Sequence, residues 1–212
     1  MLGKSLKNKV LAGVVRRKRD REGSTRALLE AAIEVFSSSG YDAATTREVA
    51  KKAGVSEGLI QRYFDGKAGL LLAILQSFAE EEAGMGIANL PFQKTLEEEF
   101  TAVLTHDCEK HRVHSSFIKV AMSRAIVDSK IGQQLRTSVH EKKLPTMVAR
   151  LRHYQEIGLI AKGADLDAIA YGLTSIAFST GFMGPQVFGY EPEKMARYAK
   201  QLASMLAKGL QP

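Results

Sequence analysis

The stretch from Thr45 to Lys67 constrains the fold of this chain more than any other, because its pattern predicts two short helices joined by a tight turn. Thr45 and Glu48 have the spacing of a capping box, in which each side chain bonds the backbone N–H of the other residue at a helix start. Gly54 follows the apolar positions of this first helix and suits a left-handed C-cap. Ser56 is placed to cap the second helix. The pattern therefore predicts a helix-turn-helix.

The second predicted helix has one apolar face and one polar face. Its apolar side chains recur at helical spacing and are expected to be buried: Leu59, Ile60, Tyr63 and Phe64. The other face is expected to be exposed: Ser56, Glu57, Gly58, Gln61 and Arg62. In DNA-binding helix-turn-helix proteins this second helix lies in the major groove and contacts base edges. The alternative is that Gln61 and Arg62 merely solvate an exposed helix.

Each predicted contact with DNA has a chemical reason. Glutamine pairs with adenine and arginine with guanine, so Gln61 and Arg62 are expected to reach base edges or phosphates. Gly58 lets the backbone approach DNA closely, and a helix N-terminus near Thr45 suits a phosphate. Tyr63 is expected either to donate to a phosphate or to pack inside. The predicted DNA-binding residues are Thr45, Thr46, Arg47, Ser56, Glu57, Gly58, Gln61, Arg62, Tyr63 and Lys67.

Spaced matches over roughly residues 24 to 70 resemble the DNA-binding domain of the TetR family of transcriptional regulators. The residues that carry the resemblance are Ala27 to Phe36, Gly40, Tyr41, Thr45, Ala53, Gly54, Val55, Ser56, Gly58, Phe64 and Lys67. It implies an all-helical homodimer whose C-terminal domain dimerises and binds an effector. It also implies that Lys67 contacts the DNA backbone. Family members often carry Tyr and His where this chain has Gln61 and Tyr63, so its phosphate contacts are expected to differ.

The whole chain is predicted to be all-α, with about nine helices, because helical periodicity recurs and almost no strand signal occurs. We divide it into a flexible basic arm (1–22), a helix-turn-helix domain (23–70) and a helical effector-binding and dimerisation domain (71–212). Ser24 is expected to cap a first helix over Thr25–Ser39. Pro145 is expected to kink or divide a long helix, because proline removes a backbone donor.

Positive charge is concentrated in the arm. Residues 1–22 hold eight Lys or Arg against two acids, whereas residues 23–80 hold six against seven. Such an arm can neutralise phosphates or enter the minor groove beside the helix-turn-helix. The alternative is a solvated tail that happens to be basic.

The sequence favours a cytoplasmic location. Its apolar run at Val10–Val15 is too short for a signal peptide and leads into basic residues rather than a cleavage site. No apolar run approaches the length of a membrane span. The single cysteine, Cys108, cannot form an internal disulfide and suits a reducing compartment.

One cluster suggests other chemistry, and it lies between His106 and His114. Cys108, His111 and His114 follow one another at three-residue steps, so a helix could present them to zinc or another soft metal. A solvated helix end is the alternative that we favour. We expect no metal, no cofactor and no enzymatic activity, because nucleophile, phosphate-binding and dinucleotide motifs are absent from the sequence. A metal-binding protein or enzyme built on the cluster is the alternative function.

The last two long helices, about 165–183 and 192–208, are predicted to form the homodimer. Small residues fall on one stripe of the first of them: Ala168, Gly172, Ser175 and Ser179. Two such helices from each subunit would make a four-helix bundle. A small-molecule effector pocket, mostly apolar, is expected between the middle helices, with walls from Phe117, Met122, Met147, Tyr154, Phe178 and Phe182.

Overall fold

The computed structural model describes residues 2–137 and 141–212, and the side chains of residues 20–80, 86–137, 141 and 143–212. The helices are α1 (Leu2–Ser39), α2 (Thr46–Ala53), α3 (Gly58–Phe64), α4 (Lys67–Met85), α5 (Leu96–Val113), α6 (Ser115–Val127), α7 (Ser129–Leu135), α8 (Glu141–Glu156), α9 (Leu166–Phe178), α10 (Gly184–Gln186) and α11 (Pro192–Gly209). These ranges contain no strand, which confirms the all-α prediction. None of the described helices is long and apolar enough to cross a membrane.

The chain divides into two compact units, Met1–Leu75 and Gln76–Pro212. Helix α4 begins in the first unit and ends in the second. In the first unit, the apolar stripes of α1 to α4 form the core, with these side chains almost fully buried: Leu28, Ala32, Phe36, Val49, Ile60, Leu70 and Leu71. Burial of this kind stabilises the unit by about 1.5–3 kcal/mol for each large side chain.

Helix α1 begins at Leu2, so the predicted start at Thr25 with Ser24 as its cap is wrong. The Ser24 hydroxyl instead donates to the Asp20 carbonyl at 2.7 Å, a bond that a serine makes inside a helix. The Lys and Arg residues that precede it are good helix formers, so nothing in the local sequence forces a stop. The backbone of residues 2–22, predicted as a flexible arm, is helical in the structure. The side chains of residues 2–19 lie outside the described set, and contact of the arm with DNA stays a prediction.

The core of the second unit lies between α5, α8, α9 and α11, and its large buried members include Phe100, Leu104, Met147, Leu151 and Leu173. Three helix limits in this unit were predicted correctly. Asp165 caps α9, accepting hydrogen bonds from the N–H groups of two residues in its first turn. Pro192 is the first residue of α11. Gly158 follows the end of α8 in a left-handed conformation, with φ 79°.

A buried polar network fixes the connection between α4 and α5. The Arg150 guanidinium donates to Glu99 at 2.7 Å and to the carbonyls of Ile87 and Leu90 at 3.0 and 2.7 Å. The Tyr154 hydroxyl donates to the same carboxylate at 2.7 Å and accepts the Gln93 N–H at 2.8 Å. Burial, and after it the neighbouring Glu99, raises the pKa of Tyr154. Every member of the network has a partner, as a buried polar group requires.

Two features of the second unit differ from expectation. The long helix predicted to be kinked or divided at Pro145 has its described parts in α7 and α8, and residues 138–140 lie outside the described set. Helix α8 continues through Pro145, so the helix is not divided at that residue. Pro145 lies inside α8, as the fifth residue of its described range. Helix α9 continues as a π-helical turn over Ser179–Met183 and then as α10. Here a Cβ at Gly181 would lie 2.7 Å from Cys108 Cα, so glycine lets this turn touch α5.

Candidate nucleic-acid interface and effector cavity

The start of α2 and the turn after it have the predicted geometry. Glu48 Oε2 accepts the Thr45 N–H at 2.9 Å, and Thr45 Oγ1 accepts the Glu48 N–H at 3.2 Å, which completes the capping box. The hydrogen bond from the Thr45 backbone lowers the pKa of Glu48. Gly54 adopts φ 68° at the C-cap, so the chain reverses direction within a few residues. The Thr45 side chain therefore acts as a cap here.

Helix α3 begins at Gly58 with Glu57 in the cap position and no side-chain cap bond, so the prediction that Ser56 caps it is wrong. The Glu57 carboxylate instead accepts the Thr46 hydroxyl at 2.6 Å. This bond joins the N-terminal ends of α2 and α3. A charged acceptor gives a stronger hydrogen bond than a neutral one, which favours this pairing over a local serine cap.

A tight turn sets the direction of α4 relative to α3. Asp65 and Gly66 both have positive φ, 58° and 92°. The Gln61 amide donates to Asp65 Oδ1 at 2.8 Å, which holds the residue that adopts the unusual conformation. A Cβ at Gly69 would lie 1.6 Å from the carbonyl oxygen of Phe64, the last residue of α3. Glycine at this position is therefore what allows α4 to begin so close to α3.

The ammonium group of Lys67 is directed into the first unit. It donates to the carbonyls of Tyr41, Asp42 and Ala44 at 2.7, 3.1 and 2.9 Å, and it lies 4.6 Å from the Tyr41 ring centroid. A lysine has three N–H donors, and the structure gives each an acceptor. Lys67 thus fixes the connection from α1 to α2. The contact with the DNA backbone that the resemblance implies for Lys67 stays a prediction.

The remaining predicted DNA-binding residues form an exposed surface on α2 and α3. Most of these residues are exposed: Arg47, Ser56, Glu57, Gly58, Gln61 and Arg62. Tyr63 is half-buried, and the guanidinium carbons of Arg21 and Arg62 lie 5.1 and 5.9 Å from its ring centroid. These are cation–π distances, so the last part of the basic segment packs against the second helix of the motif. No local sequence pattern predicts the contact of Arg21 with Tyr63, because the two residues are 42 positions apart.

The second unit contains a cavity of about 480 Å³. This volume lies within the ~300–1,000 Å³ typical of small-molecule sites. Its lining comes from α4 to α9: Phe78, His111, Phe117, Ile118, Ala121, Met122, Gly132, Leu135, Arg136, Lys143, Tyr171, Thr174, Ser175 and Phe178. The wall is mainly apolar, and its two cationic side chains are Arg136, directly after α7, and Lys143, in α8.

Three of the six predicted pocket residues line this cavity: Phe117, Met122 and Phe178. The other three do not. Met147 and Tyr154 belong to the core, where Tyr154 is held by its hydrogen bonds to Glu99 and Gln93. Phe182 is buried and stacks on Phe178, with ring centroids 5.3 Å apart. Periodicity identified all six as inward-facing, but it does not distinguish a cavity wall from a packed core.

Sequence reasoning missed the cationic part of the lining, Arg136 and Lys143. The available signal was the cluster of basic residues in the sequence between 136 and 143. Arg136 donates to Glu141 at 2.5 Å, and both side chains are about half exposed. Lys143 Nζ lies 2.8 Å from Asp107 Oδ2, and the Asp107 side chain is 1% exposed. This ion pair is the main contact of the buried carboxylate, since neither oxygen has a well-directed hydrogen bond among the described residues.

The His106–His114 cluster does not converge on a metal site. Cys108 Sγ lies 3.2 Å from Thr180 Oγ1, and His111 Nδ1 lies 3.2 Å from the Ala177 carbonyl. The His114 ring packs edge-on against Phe78 at 5.0 Å. Burial raises the pKa of the Cys108 thiol, which disfavours the thiolate that binds metal. Within the described residues no group of three His, Cys, Asp or Glu side chains is placed to hold a metal ion, so the alternative function has no support here.

The stripe of small residues on α9 is exposed at Ala168, Ser175 and Ser179 and half-buried at Gly172. A Cβ at Gly172 would meet no atom within 4 Å, so this part of the helix surface is open in the single chain. On α11, Tyr198 and Met205 are 42% and 59% exposed. Exposed apolar side chains beside a stripe of small ones are typical of a surface that packs against another helix.

The first unit contains a helix-turn-helix with an exposed second helix, and the second unit is all-helical and contains a cavity. This combination is typical of helix-turn-helix transcriptional regulators. The family profile described as "Bacterial regulatory proteins, tetR family" matches residues 28–74. The chain is 26% identical over 189 residues to the HTH-type transcriptional regulator BetI of Cronobacter sakazakii (strain ATCC BAA-894), which covers 80% of this chain and 93% of BetI. Residues 28–74 therefore form a helix-turn-helix domain of the TetR family, and the chain is similar over most of its length to an HTH-type transcriptional regulator.

Solved structures share this fold at low sequence identity. The transcriptional regulator FadR from Bacillus subtilis, in complex with stearoyl-CoA, superposes with a TM-score of 0.74 at 16% identity, covering 88% of this chain and 99% of FadR. A TetR transcription regulator from Haloarcula marismortui ATCC 43049 gives a TM-score of 0.72 at 18% identity, covering 89% and 98%. At these identities the likeness establishes the fold alone.

Proposed function

We propose that this regulator is a repressor that binds a palindromic DNA operator as a homodimer and is released by a small-molecule effector. The observation that carries the DNA-binding part is the exposed surface of α2 and α3, with Arg47, Gln61 and Arg62 on it. Arginine contributes to both phosphate and guanine contacts, and these side chains project from short helices fixed by caps and turns. A rigid support of this kind is what base recognition requires.

Several predicted contacts take a supporting role in this proposal. Thr45, Thr46 and Lys67 direct their side-chain donors to acceptors within the first unit. They hold α2 and α3 in place, and any contact that they make with phosphates uses backbone groups or requires these bonds to change. Sequence preference is therefore assigned to Arg62 and to Gln61, whose amide has a second N–H besides the one that bonds Asp65. Non-specific affinity is assigned to Arg47 and the basic segment before α2.

The dimer is assigned to α9 and α11. The exposed small stripe on α9 permits close approach of a second helix, and the exposed Tyr198 and Met205 supply apolar area. A two-fold symmetric interface repeats one patch on both subunits, which matches the single stripe that each chain offers. Two copies of α3 would then contact two half-sites one helical turn of DNA apart.

Effector release is supported by the cavity and by the helix that connects it to the rest of the chain. Phe78 of α4 lines the cavity, and its ring lies 4.5 Å from Phe117. The same helix begins at Lys67, which holds the connection between α1 and α2. A FadR structure of the same fold was solved with stearoyl-CoA, which supports ligand binding by this architecture. A ligand acts only through its different affinity for the DNA-bound and released states.

The test of DNA recognition is an anisotropy titration with DNA from upstream of the protein's own gene and with a scrambled fragment, at two salt concentrations. We expect a preference of ~10³-fold or more for the native fragment. Gln61→Ala combined with Arg62→Ala should abolish that preference, because it removes both base-contacting side chains. Lys52→Ala is the matched control, since it removes an exposed cation of α2 that pairs with Glu34 at 2.7 Å. Equal binding of both fragments at both salt concentrations would contradict sequence-specific recognition.

The test of the dimer is Gly172→Glu, measured by light scattering after size-exclusion chromatography. The single chain has open space at this position, so the variant should fold and become monomeric. Gly163→Glu is the matched control, because it adds the same charge at an exposed loop position that is also open. If the Gly172 variant stays dimeric, the interface lies elsewhere. A reporter fused downstream of the operator separates a repressor from an activator.

A further inference from the structure

The charges on the cavity wall have one sign. Of the side chains that line it, Arg136 and Lys143 are cationic, and no Asp or Glu is among the described lining residues. The two carboxylates that pair with these cations, Glu141 and Asp107, lie outside the lining. Among the described lining residues, a ligand in the cavity therefore meets two cationic side chains and no carboxylate.

Both cations have more N–H donors than their ion pairs with described residues use. The hydrogen bond from Arg136 to Glu141 uses one of the five N–H groups of the guanidinium, and the fork geometry suits a second carboxylate or a phosphate. The Arg136–Glu141 pair is exposed, and such pairs are weak enough for a bound anion to compete. Glu141 lies two residues before Lys143. Because Arg136 bonds Glu141, the two cations lie at the same end of the cavity.

The rest of the wall is aromatic and aliphatic. The rings of Phe78 and Phe117 lie 4.5 Å apart, and Phe178 packs edge-on against His111 at 5.6 Å. Met122 and Leu135 add flexible and branched apolar surface. These groups suit an aliphatic chain or a flat ring system, since they offer little hydrogen bonding and much apolar contact area.

We propose that the effector is an amphipathic anion, with a carboxylate or phosphate head at Arg136 and Lys143 and an apolar body against Phe78, Phe117 and Phe178. The inference rests on the proposed effector function and names the chemical class of that ligand. It revises the expectation of a mostly apolar effector. The apolar body supplies area, and the head supplies the charge that the two cations match.

Calorimetric titration of the full-length protein without DNA tests the ligand class. The probes are decanoate, decyl phosphate, decanol and decylamine, which share one tail and differ in the head, with naphthoate as an aromatic carboxylate. We expect one of the two decyl anions to bind at least about tenfold more tightly than decanol, and decylamine to bind most weakly. Whichever of the two anions binds more tightly identifies the head group as a carboxylate or a phosphate.

Variants locate the head. Arg136→Gln should weaken binding of the anion by about tenfold or more and leave decanol unchanged. Arg112→Gln is the matched control, because Arg112 pairs with Glu109 at 2.6 Å with similar exposure but does not line this cavity. Asp107→Asn combined with Lys143→Gln removes the second cation without leaving a buried charge unpaired, and it should also weaken the anion.

Three results would overturn the proposal: decanol binding as tightly as both anions, decylamine binding more tightly than them, or no binding by any anionic probe. An unchanged affinity in the Arg136 variant would overturn the assigned position of the head. The DNA titration is then repeated with saturating anion. Tight anion binding without any change in DNA affinity would keep the ligand class and reject the proposed release, so the two failures are distinguishable.

Discussion

Two glycines of the helix-turn-helix region give opposite predictions for the same substitution. Gly69 is the third residue of α4, and a Cβ there would lie 1.6 Å from the Phe64 carbonyl oxygen and 2.8 Å from its carbon. Gly58 is the first residue of α3, and a Cβ there would meet nothing within 4 Å. Alanine at Gly69 should therefore disturb the fold, whereas alanine at Gly58 should affect only what approaches from outside.

The size of the Gly69→Ala effect follows from that geometry. Real Cβ atoms essentially never come closer than 3.0 Å, so the oxygen and the new carbon must separate by at least 3.0 − 1.6 = 1.4 Å. The opposing atoms are backbone, so no side chain can rotate away, and α4 must move relative to α3. Overpacking that side chains can relieve costs about 1–3 kcal/mol, and we expect at least the upper value here. At ~2–4 °C per kcal/mol for a chain of this size, the melting temperature should fall by roughly 6–12 °C.

Circular dichroism melting and anisotropy with operator DNA separate the two effects. Gly69→Ala should lower both the melting temperature and the DNA affinity. Gly58→Ala should keep or slightly raise the melting temperature, since alanine favours a helix by up to ~1 kcal/mol, and should still weaken DNA binding if the backbone approaches the groove there. An unchanged melting temperature for Gly69→Ala would refute the steric argument. Unchanged DNA affinity for Gly58→Ala would refute the predicted close approach.

Three further predictions concern single side chains. Tyr154→Phe removes one buried donor and one buried acceptor, so the free energy of unfolding should fall by about 1–3 kcal/mol in urea denaturation, and an unchanged value would contradict the role of the network. Lys67→Met leaves three carbonyls without their charged donor, so the free energy of unfolding should fall by about 2 kcal/mol or more. A melting curve like that of the wild type would show that the ammonium does not hold the connection between α1 and α2. Glu48 has a lowered pKa in the folded state, so its contribution is present above the ordinary value of 4.5 and is lost as the pH falls through the folded pKa. The melting temperatures of wild type and Glu48→Gln should therefore converge in acid, and a constant difference down to the lowest pH would contradict this.

Features set by local sequence were predictable. The capping box at Thr45 and Glu48, the left-handed Gly54 and the Asp165 cap each depend on residues within a few positions of one another. Their geometry is decided before any tertiary contact is made, so the residue types alone carry the information. The apolar stripes of α1 to α4 were predictable for a related reason, since helical periodicity fixes which face is buried.

Features set by distant partners were not predictable. Ser56 has the chemistry of a cap, but the Glu57 carboxylate is bonded to Thr46, a residue of the preceding helix. Lys67 has the position of a phosphate contact, but three carbonyls from the α1–α2 connection surround its ammonium. In each case the side chain had two plausible partners, and only the packing of the elements decides between them.

The residues that line the cavity could not all be predicted, again because the outcome depends on distant partners. Phe117 and Tyr154 are both inward-facing by periodicity, yet one lines a void and the other is surrounded by its hydrogen-bond partners. The distinction depends on whether a third helix fills the space, which no pattern within one helix reports. Arg136 directly follows α7 and Lys143 lies in α8, two elements that the sequence pattern predicted as a single helix.

The π-helical turn at Ser179–Met183 has a consequence for how this chain is compared with its relatives. A π turn holds one more residue than the α-helical turn it replaces, so the residues on its two sides are offset by about 100° from α-helical register. A relative whose helix is α-helical throughout would align with this chain only if a gap of one residue were placed within that turn. Without the gap, Gly184 and the residues after it would be matched to positions on the wrong face of the helix.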